Sequence, residues 1–355
     1  MNWFNFYPVG QGLFYCGLID DGKYAFVYDC GTSTASVNIK NYIGHLKRHH
    51  SGHIDFVVIS HLHKDHTSGI TDLLNLFTVK KFYLPYLIGT SSDEFLLQII
   101  YFYFRLDSEA DYGRMLKMRL EVSIDDIENI RKLLNLYTNK EQSRLVNENI
   151  LFDHKISEEP YWQFFLTCKR QDQTRVTDLQ INIQNMLNNL SCNSVLEMLE
   201  KGHIKEIHDL YINAFGHKGI NDTSIVMLHF PNELLCNQSF YYEKCFSPYI
   251  SPFYYRNSTI PFSLLTGDVN FSDELANEVL SLMPYGSRGF LQVPHHGAED
   301  EWNSFWKYFK GGDAYIVPFG TTNIYGHPFS KIESAVGLGK YYRVNEYTGF
   351  PYWIF

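Results

Sequence analysis

The sequence predicts an α/β fold in which strands and helices form layers, interrupted by a large helical insertion. Two observations support this prediction. Both ends of the chain alternate apolar, β-branched runs with segments of helical spacing, and the stretch between them has apolar residues three to four positions apart and almost no glycine. We therefore assign residues 1–90 and 215–355 to the core, and residues 91–214 to the helical insertion.

The first elements alternate in type along the chain. Residues 4–31 predict two strands joined at Asp20-Asp21-Gly22, since an Asp-Gly step favours a tight hairpin turn. Residues 36–50 have helical spacing, FVVIS at 56–60 is typical of a buried strand, and a further helix is expected from His61. KKFYLPYL at 80–87 predicts another strand, and this alternation places ligands at the carboxyl ends of the strands.

Strand character returns after the insertion. The predicted strands are TSIVMLHF, residues 261–265, FLQVPHHG, AYIVPFG and the C-terminal YYRVNEYTGFPYWIF, with a helix over SKIESAVGLG. An aromatic run at 237–259 could stack on nucleic acid bases, although such residues more often fill a hairpin core.

Composition limits the classes of function. Hydrophobic residues make up 45% of the 355 residues, enough for a substantial core. The net charge of −9 gives no general attraction to polyanions, so a nucleic acid substrate would need local contacts. No apolar stretch is long enough to span a bilayer, no signal segment is evident, and the six cysteines form no C-x-x-C pair. We expect a cytoplasmic protein without membrane association.

A cluster of four side chains carries the strongest chemical signal. His61, His63, Asp65 and His66 occupy six residues directly after an apolar strand. Neutral imidazoles and a carboxylate are common ligands of divalent cations. Because residues two apart on an extended segment point the same way, His61 and His63 can hold one ion while the next turn directs Asp65 and His66 to a second.

Further polar residues follow later strands in the same manner. Asp268 comes after an apolar strand and could bridge two cations, His295 and His296 follow another strand, and His327 lies in the loop after the next. Their shared position at strand ends favours one common site over separate core histidines.

The motifs together resemble the metallo-β-lactamase-fold hydrolase superfamily. HLHKDH at 61–66 matches its H-x-H-x-D-H motif, and the surrounding segments are similar to competence proteins of the ComEC type and their stand-alone soluble relatives. These segments are VGQG, VYDCGTS, N-x-x-S at 221–224, LLTGD, VPHHG and N-x-Y-G-H-P at 323–328. The resemblance covers residues 4–85 and 215–355 and implies an αββα sandwich.

The resemblance also implies a role for each matching residue. His61 and His63 would bind the first of two divalent ions, Zn or Mn, and Asp65, His66 and His327 would bind the second, with Asp268 as the bridge. His296, with His295 behind it, would aid proton transfer, and Asp29 would order the histidine cluster. Many members complete the first site with another histidine. This chain has Asn221 near that position, and His217 is a possible substitute.

These residues predict a metal-dependent hydrolase, most readily a phosphodiesterase or nuclease that cleaves with water activated by two ions. A hydrolase of another ester, a thioester or a lactam would use the same ligands. A third alternative is an effector or partner subunit of a prokaryotic defence system, docking through the helical insertion. The expected partners are therefore a nucleic acid or nucleotide substrate and, through the insertion, a protein.

Overall fold

The computed structural model of the protein describes residues 1–50, 52–85, 148–152, 162–169, 173–232, 240–242, 260–284, 288–337 and 339–354, with seven further positions between 96 and 131. Two sheets stack face to face, and helices cover both outer faces. The predicted αββα sandwich is confirmed. Within these described ranges, no helix is long and apolar enough to cross a membrane.

The first sheet has seven strands. In pairing order they are β5 (Val79–Tyr83), β4 (Ile54–Val58), β3 (Tyr24–Cys30), β2 (Phe14–Ile19), β1 (Asn2–Phe6), β14 (Phe350–Ile354) and β9 (Phe240–Tyr242). β3, β4 and β5 are parallel, whereas the other pairs are antiparallel. The predicted strand pair over 4–31 is in fact three strands. Pro8 lacks an N–H donor and Gly10 has a φ of 69°, so the extended chain is interrupted between β1 and β2, which then pair with each other.

The second sheet also has seven strands. In pairing order they are β13 (Tyr341–Val344), β12 (Ala314–Pro318), β11 (Arg288–Gln292), β10 (Pro261–Leu265), β8 (Ile225–Pro231), β7 (Trp162–Cys168) and β6 (Glu148–Phe152). β10 to β13 are parallel, and β8, β7 and β6 extend the sheet in antiparallel pairs. Most of the aromatic run at 237–259 lies outside the described residues.

The segment 91–214 is not wholly helical, so that prediction is corrected. It supplies β6 and β7, and β7 pairs with β8 over Trp162 to Cys168. Trp162, Phe164 and Leu166 are buried on one face, which is the two-residue period of a strand and not a helical spacing. Its described helices are α4 (Gln173–Leu190), α5 (Val195–Glu200) and most of α6 (Ile204–Gly219).

Three apolar clusters hold the layers together. β3 shows the arrangement, because Phe26 and Tyr28 point into the cluster between the sheets while Ala25 and Val27 point to the outer face. That outer face lies under α1 (Ile39–His49), α3 (Ile70–Leu76) and α4 to α6. The outer face of the second sheet lies under α7 (Asp273–Leu282), α8 (Glu299–Tyr308) and α9 (Ile332–Val336).

The parallel strands end at a common edge of the sandwich. Asp29 lies near the end of β3, and the His61 motif follows β4 and runs into α2 (Lys64–Thr67). On the second sheet, Asp268 follows β10 and His295 follows β11. Because parallel strands carry their carboxyl ends to one side, residues far apart in the chain meet here.

Candidate metal centre

Six side chains converge at this edge in two groups of three. His61, His63 and Asp268 form one group, and Asp65, His66 and His296 form the other; within each group the potential ligand atoms lie within 4.8 Å of one another. Asp268 lies between the groups, since its Oδ2 is 3.5 Å from His61 Nε2 and its Oδ1 is 3.2 Å from His66 Nε2. The arrangement can seat two cations side by side.

Two glycines allow the backbone segments to approach so closely. A Cβ on Gly31 would lie 2.4 Å from the carbonyl carbon of His66, so only glycine lets the loop after β3 pack on the motif. Gly267 has a φ of 54°, and a Cβ there would lie 2.7 Å from the Cβ of Ser60. These contacts bring Asp268 up against the segment that carries His61.

Asp29 is fully buried behind the histidine cluster. Its Oδ1 accepts from the backbone N–H of Ser60 at 2.6 Å, and its Oδ2 accepts from the Ser60 hydroxyl at 2.6 Å and from Nδ1 of His66 at 2.7 Å. The last bond keeps a proton on Nδ1, so Nε2 is the atom that faces the centre of the site and would bind a metal ion once it has lost its own proton. Asp29 therefore orients His66.

His296 is oriented in the same way by a backbone carbonyl. Its Nδ1 donates to the oxygen of Pro318 at 2.9 Å, so a neutral ring has its Nε2 lone pair 2.9 Å from Oδ2 of Asp65. Two electron-rich atoms at that distance repel unless a proton or a metal ion lies between them. His295 and His296 both have positive φ, at 48° and 53°, and this strained turn points the two rings in different directions.

The residues present fit divalent cations. His66 Nε2 and Asp268 Oδ1 are buried, and neither has a hydrogen-bond partner. Histidine nitrogens and carboxylate oxygens are ligands that Zn²⁺ and Mn²⁺ accept. Two buried carboxylates, Asp29 and Asp268, and the partly buried Asp65 also require positive charge nearby, which one or two cations would supply.

The charges of the site shift its titrations strongly. Burial would lower the pKa of His66, but Asp268, Asp29 and Asp65 outweigh it and raise that pKa well above its usual range. Burial would raise the pKa of Asp65, but the positive charge of His66 and the hydrogen bond from His296 lower it well below the usual range. Burial lowers the pKa of His63 to about 4, so this ring is neutral and can donate a lone pair at neutral pH.

His327 is not part of either group. The motif resemblance gave it to the second ion and gave His296 to proton transfer, whereas the structure places His296 beside Asp65 and His66. The ring of His327 instead lies 5.3 Å from the ring of His295, at the more exposed side of the site. The tight turn after β11 directs His296 inward to Asp65, and the loop after β12 places His327 beside His295.

Asn221 lies beside the site, in the turn before β8. Its Nδ2 is 3.4 Å from Nε2 of His295, so it contacts His295 and is not in either group of potential ligands. The backbone of His217 belongs to α6, and its side chain lies outside the described residues.

Sequence reasoning did not find Glu301. Its Oε1 lies 3.2 Å from Nδ1 of His295, and it occupies the first turn of α8 directly after the histidine pair. Burial would lower the pKa of His295, but Asp268 and Glu301 raise it to about 9. The signal was present as the acidic run AEDE after VPHHG.

Comparison with known families agrees with this geometry. Residues 10–128 match the Metallo-beta-lactamase superfamily. The matched segment contains β2 to β5 and the H-x-H-x-D-H motif, and proteins of this superfamily are generally metal-dependent hydrolases that bind divalent metals. Asp268, His295 and His296 lie beyond the matched segment, and the fold brings them to the motif.

Among solved structures, the chain is similar to an archaeal metallo-beta-lactamase superfamily protein from Sulfolobus tokodaii. The two are 16% identical with a TM-score of 0.23, and the match covers 47% of this chain and 55% of that one. The chain thus spans about half the length of that protein. No curated protein matches the chain.

Proposed function

We propose that the protein is a phosphodiesterase or nuclease that uses two divalent ions, Zn or Mn, and acts on a nucleic acid or nucleotide. The observation that carries the proposal is the pairing of a cation-ready centre with His295, which lies at its open side with Nδ1 3.2 Å from Oε1 of Glu301. The ordered motifs that resemble ComEC-type relatives also support this class of substrate.

The ligands of the proposed ions follow from the two groups. His61 and His63 would hold one ion, Asp65, His66 and His296 the other, and Asp268 would bridge them. Two ions at such a site lower the pKa of a water molecule and offset the charge on phosphoryl oxygens. Asp29 keeps the Nε2 atom of His66 aimed at the ligand position, and Pro318 does the same for His296.

His295 is the proposed proton donor. Its side chain is 27% exposed, whereas His296 is 3% exposed, so His295 is the more accessible of the pair to a substrate. The Glu301 carboxylate lies 3.2 Å from Nδ1 of the ring and favours its charged form. In the proposed reaction, the ring gives a proton to the alkoxide that leaves the phosphorus.

A proton donor placed beside the centre distinguishes this proposal from thioester hydrolysis. An alkoxide is strongly basic and needs a proton to leave, whereas a thiolate has a pKa near 8.5 and leaves without help. A proton donor that is held beside its own carboxylate therefore helps phosphodiester cleavage more than it helps thioester hydrolysis.

The test compares leaving groups on the full-length protein loaded with manganese or zinc. The substrates are single-stranded DNA, RNA, cyclic nucleotides and bis(p-nitrophenyl) phosphate, with a thioester and a lactam in parallel. We expect metal-dependent cleavage of a phosphodiester, abolished in the Asp65→Ala, His66→Ala double variant. His295→Gln should slow the nucleic acid substrates strongly and bis(p-nitrophenyl) phosphate weakly, because nitrophenolate leaves without a proton. Metal-loaded protein that cleaves only the thioester or lactam contradicts the proposal.

A further inference from the structure

The loop after β12 presents two apolar side chains to solvent beside the candidate metal centre. Ile324 is 90% exposed and Tyr325 is 67% exposed. Large apolar residues in such positions cost solubility unless they have a partner, and neighbouring ones often mark a binding surface.

The exposure is not a result of a loose loop. The side chain of Asn323 donates to the carbonyl oxygens of Gly320 and His327, at 2.6 and 2.7 Å. Its Oδ1 accepts from the backbone N–H groups of Tyr325 and His327, at 3.1 and 3.2 Å. Four bonds from one residue hold the loop in a fixed shape, so a ligand that binds there loses little free energy to loop ordering.

A row of rings connects this loop to the site. The ring of Tyr325 stacks on that of His327 with centroids 5.9 Å apart and an angle of 20° between planes. The ring of His327 lies 5.3 Å from that of His295, the proposed proton donor. A substrate whose leaving oxygen is near His295 therefore has its next group beside His327 and Tyr325.

We propose that Tyr325, backed by Ile324, stacks on the base of the nucleotide next to the cleaved phosphate, and that the substrate is single-stranded. This inference rests on the proposed function and names its substrate more closely. Bases in a duplex are stacked on each other and cannot reach the ring, whereas those of a single strand can. With a net charge of −9, the protein gains little from general attraction to phosphates, so stacking is a suitable source of affinity.

The test measures fluorescence anisotropy of a labelled thymidine oligonucleotide. It uses full-length manganese-loaded protein with His295→Gln, so that the strand stays intact. The same strand with abasic residues is the second probe. Tyr325→Ala should raise Kd for the thymidine strand about 5- to 10-fold and leave that for the abasic strand unchanged, the low end of what one stacked base contributes. Tyr325→Phe should bind like the parent, because stacking needs the ring and not the hydroxyl.

Ile181→Ala is the matched control, since Ile181 is 52% exposed on α4, a helix that packs against α5 and α6. It should bind both strands like the parent. Equal Kd values for the parent and Tyr325→Ala, equal losses on both strands, or no binding of either strand overturns the inference. Cleavage of single strands that is indifferent to Tyr325 overturns this inference alone. Tyr325-dependent binding without phosphodiester cleavage by the unsubstituted chain overturns the proposed function and leaves only the stacking of Tyr325 on a base.

Discussion

Replacement of Asp29 by asparagine tests how the buried carboxylate controls the metal centre. Asn has the same shape but only one acceptor oxygen, whereas Asp29 accepts three hydrogen bonds, from the Ser60 N–H, the Ser60 hydroxyl and His66 Nδ1. One end of the amide must therefore present N–H to a donor, and His66 loses its orienting partner or Ser60 moves.

The expected cost falls mainly on metal affinity. Removing an outer partner of a ligating histidine weakens metal binding about 10- to 100-fold, or about 1.4–2.8 kcal/mol. Burial raises the pKa of Asp29, so removal of its buried charge offsets part of the cost of the unpaired donor in the metal-free chain.

The assay is a titration of metal-free protein with Zn²⁺ or Mn²⁺ against a competing chelator. Asp72→Asn is the control, because Asp72 pairs at the surface with Lys40 at 3.3 Å and touches none of the potential ligands. The reasoning is refuted if Asp29→Asn remains folded and binds metal as tightly as the parent, or if Asp72→Asn weakens binding equally.

Three further predictions concern other parts of the molecule. His229 is buried between the sheets, where burial lowers its pKa to about 3; it accepts from Trp162 and bonds Tyr15, so it is neutral when folded. Histidine in the unfolded chain binds a proton below pH 6.5 and the folded ring does not, so the free energy of unfolding falls as pH drops from 6.5 towards 3, by up to about 5 kcal/mol. Urea unfolding in EDTA should therefore show a weaker pH dependence for His229→Gln than for the parent. An equal pH dependence in the two proteins would contradict this prediction. Glu301→Gln should lower kcat for nucleic acid about 10- to 100-fold with unchanged metal content. An unchanged kcat would show that Glu301 does not support proton donation by His295. Gly31→Ala should lower Tm and metal affinity together, since a Cβ would lie 2.4 Å from the His66 backbone; a variant with parental values would show that the loop can move away.

Much of the fold could be predicted because its signals are local. The apolar run of β3, the Asp-Gly turn at Asp20-Asp21-Gly22 and the helical spacing of α1 are all visible within a short window of sequence. β7 was missed because the helical spacing on either side of Trp162–Cys168 suggested a continuous helical block. Its strand character depends on pairing with β8, and the paired residues Cys168 and Ile225 are 57 positions apart in the chain.

The candidate site was predictable only in part. The motif at 61–66 is a continuous stretch, so its side chains were expected together. His296 is the later histidine that reaches Asp65, because His295 and His296 both have positive φ values. No residue pattern indicated those φ values. The pairing of His295 with Glu301 depends on how the first turn of α8 packs, which is a tertiary contact.

Anomalous diffraction from crystals grown with manganese or zinc tests the central claim most directly. The account predicts two peaks for each chain, one among His61, His63 and Asp268 and the other among Asp65, His66 and His296. A crystal with metal peaks only elsewhere, or with these six side chains bonded to one another and no ion between them at saturating metal, would contradict it.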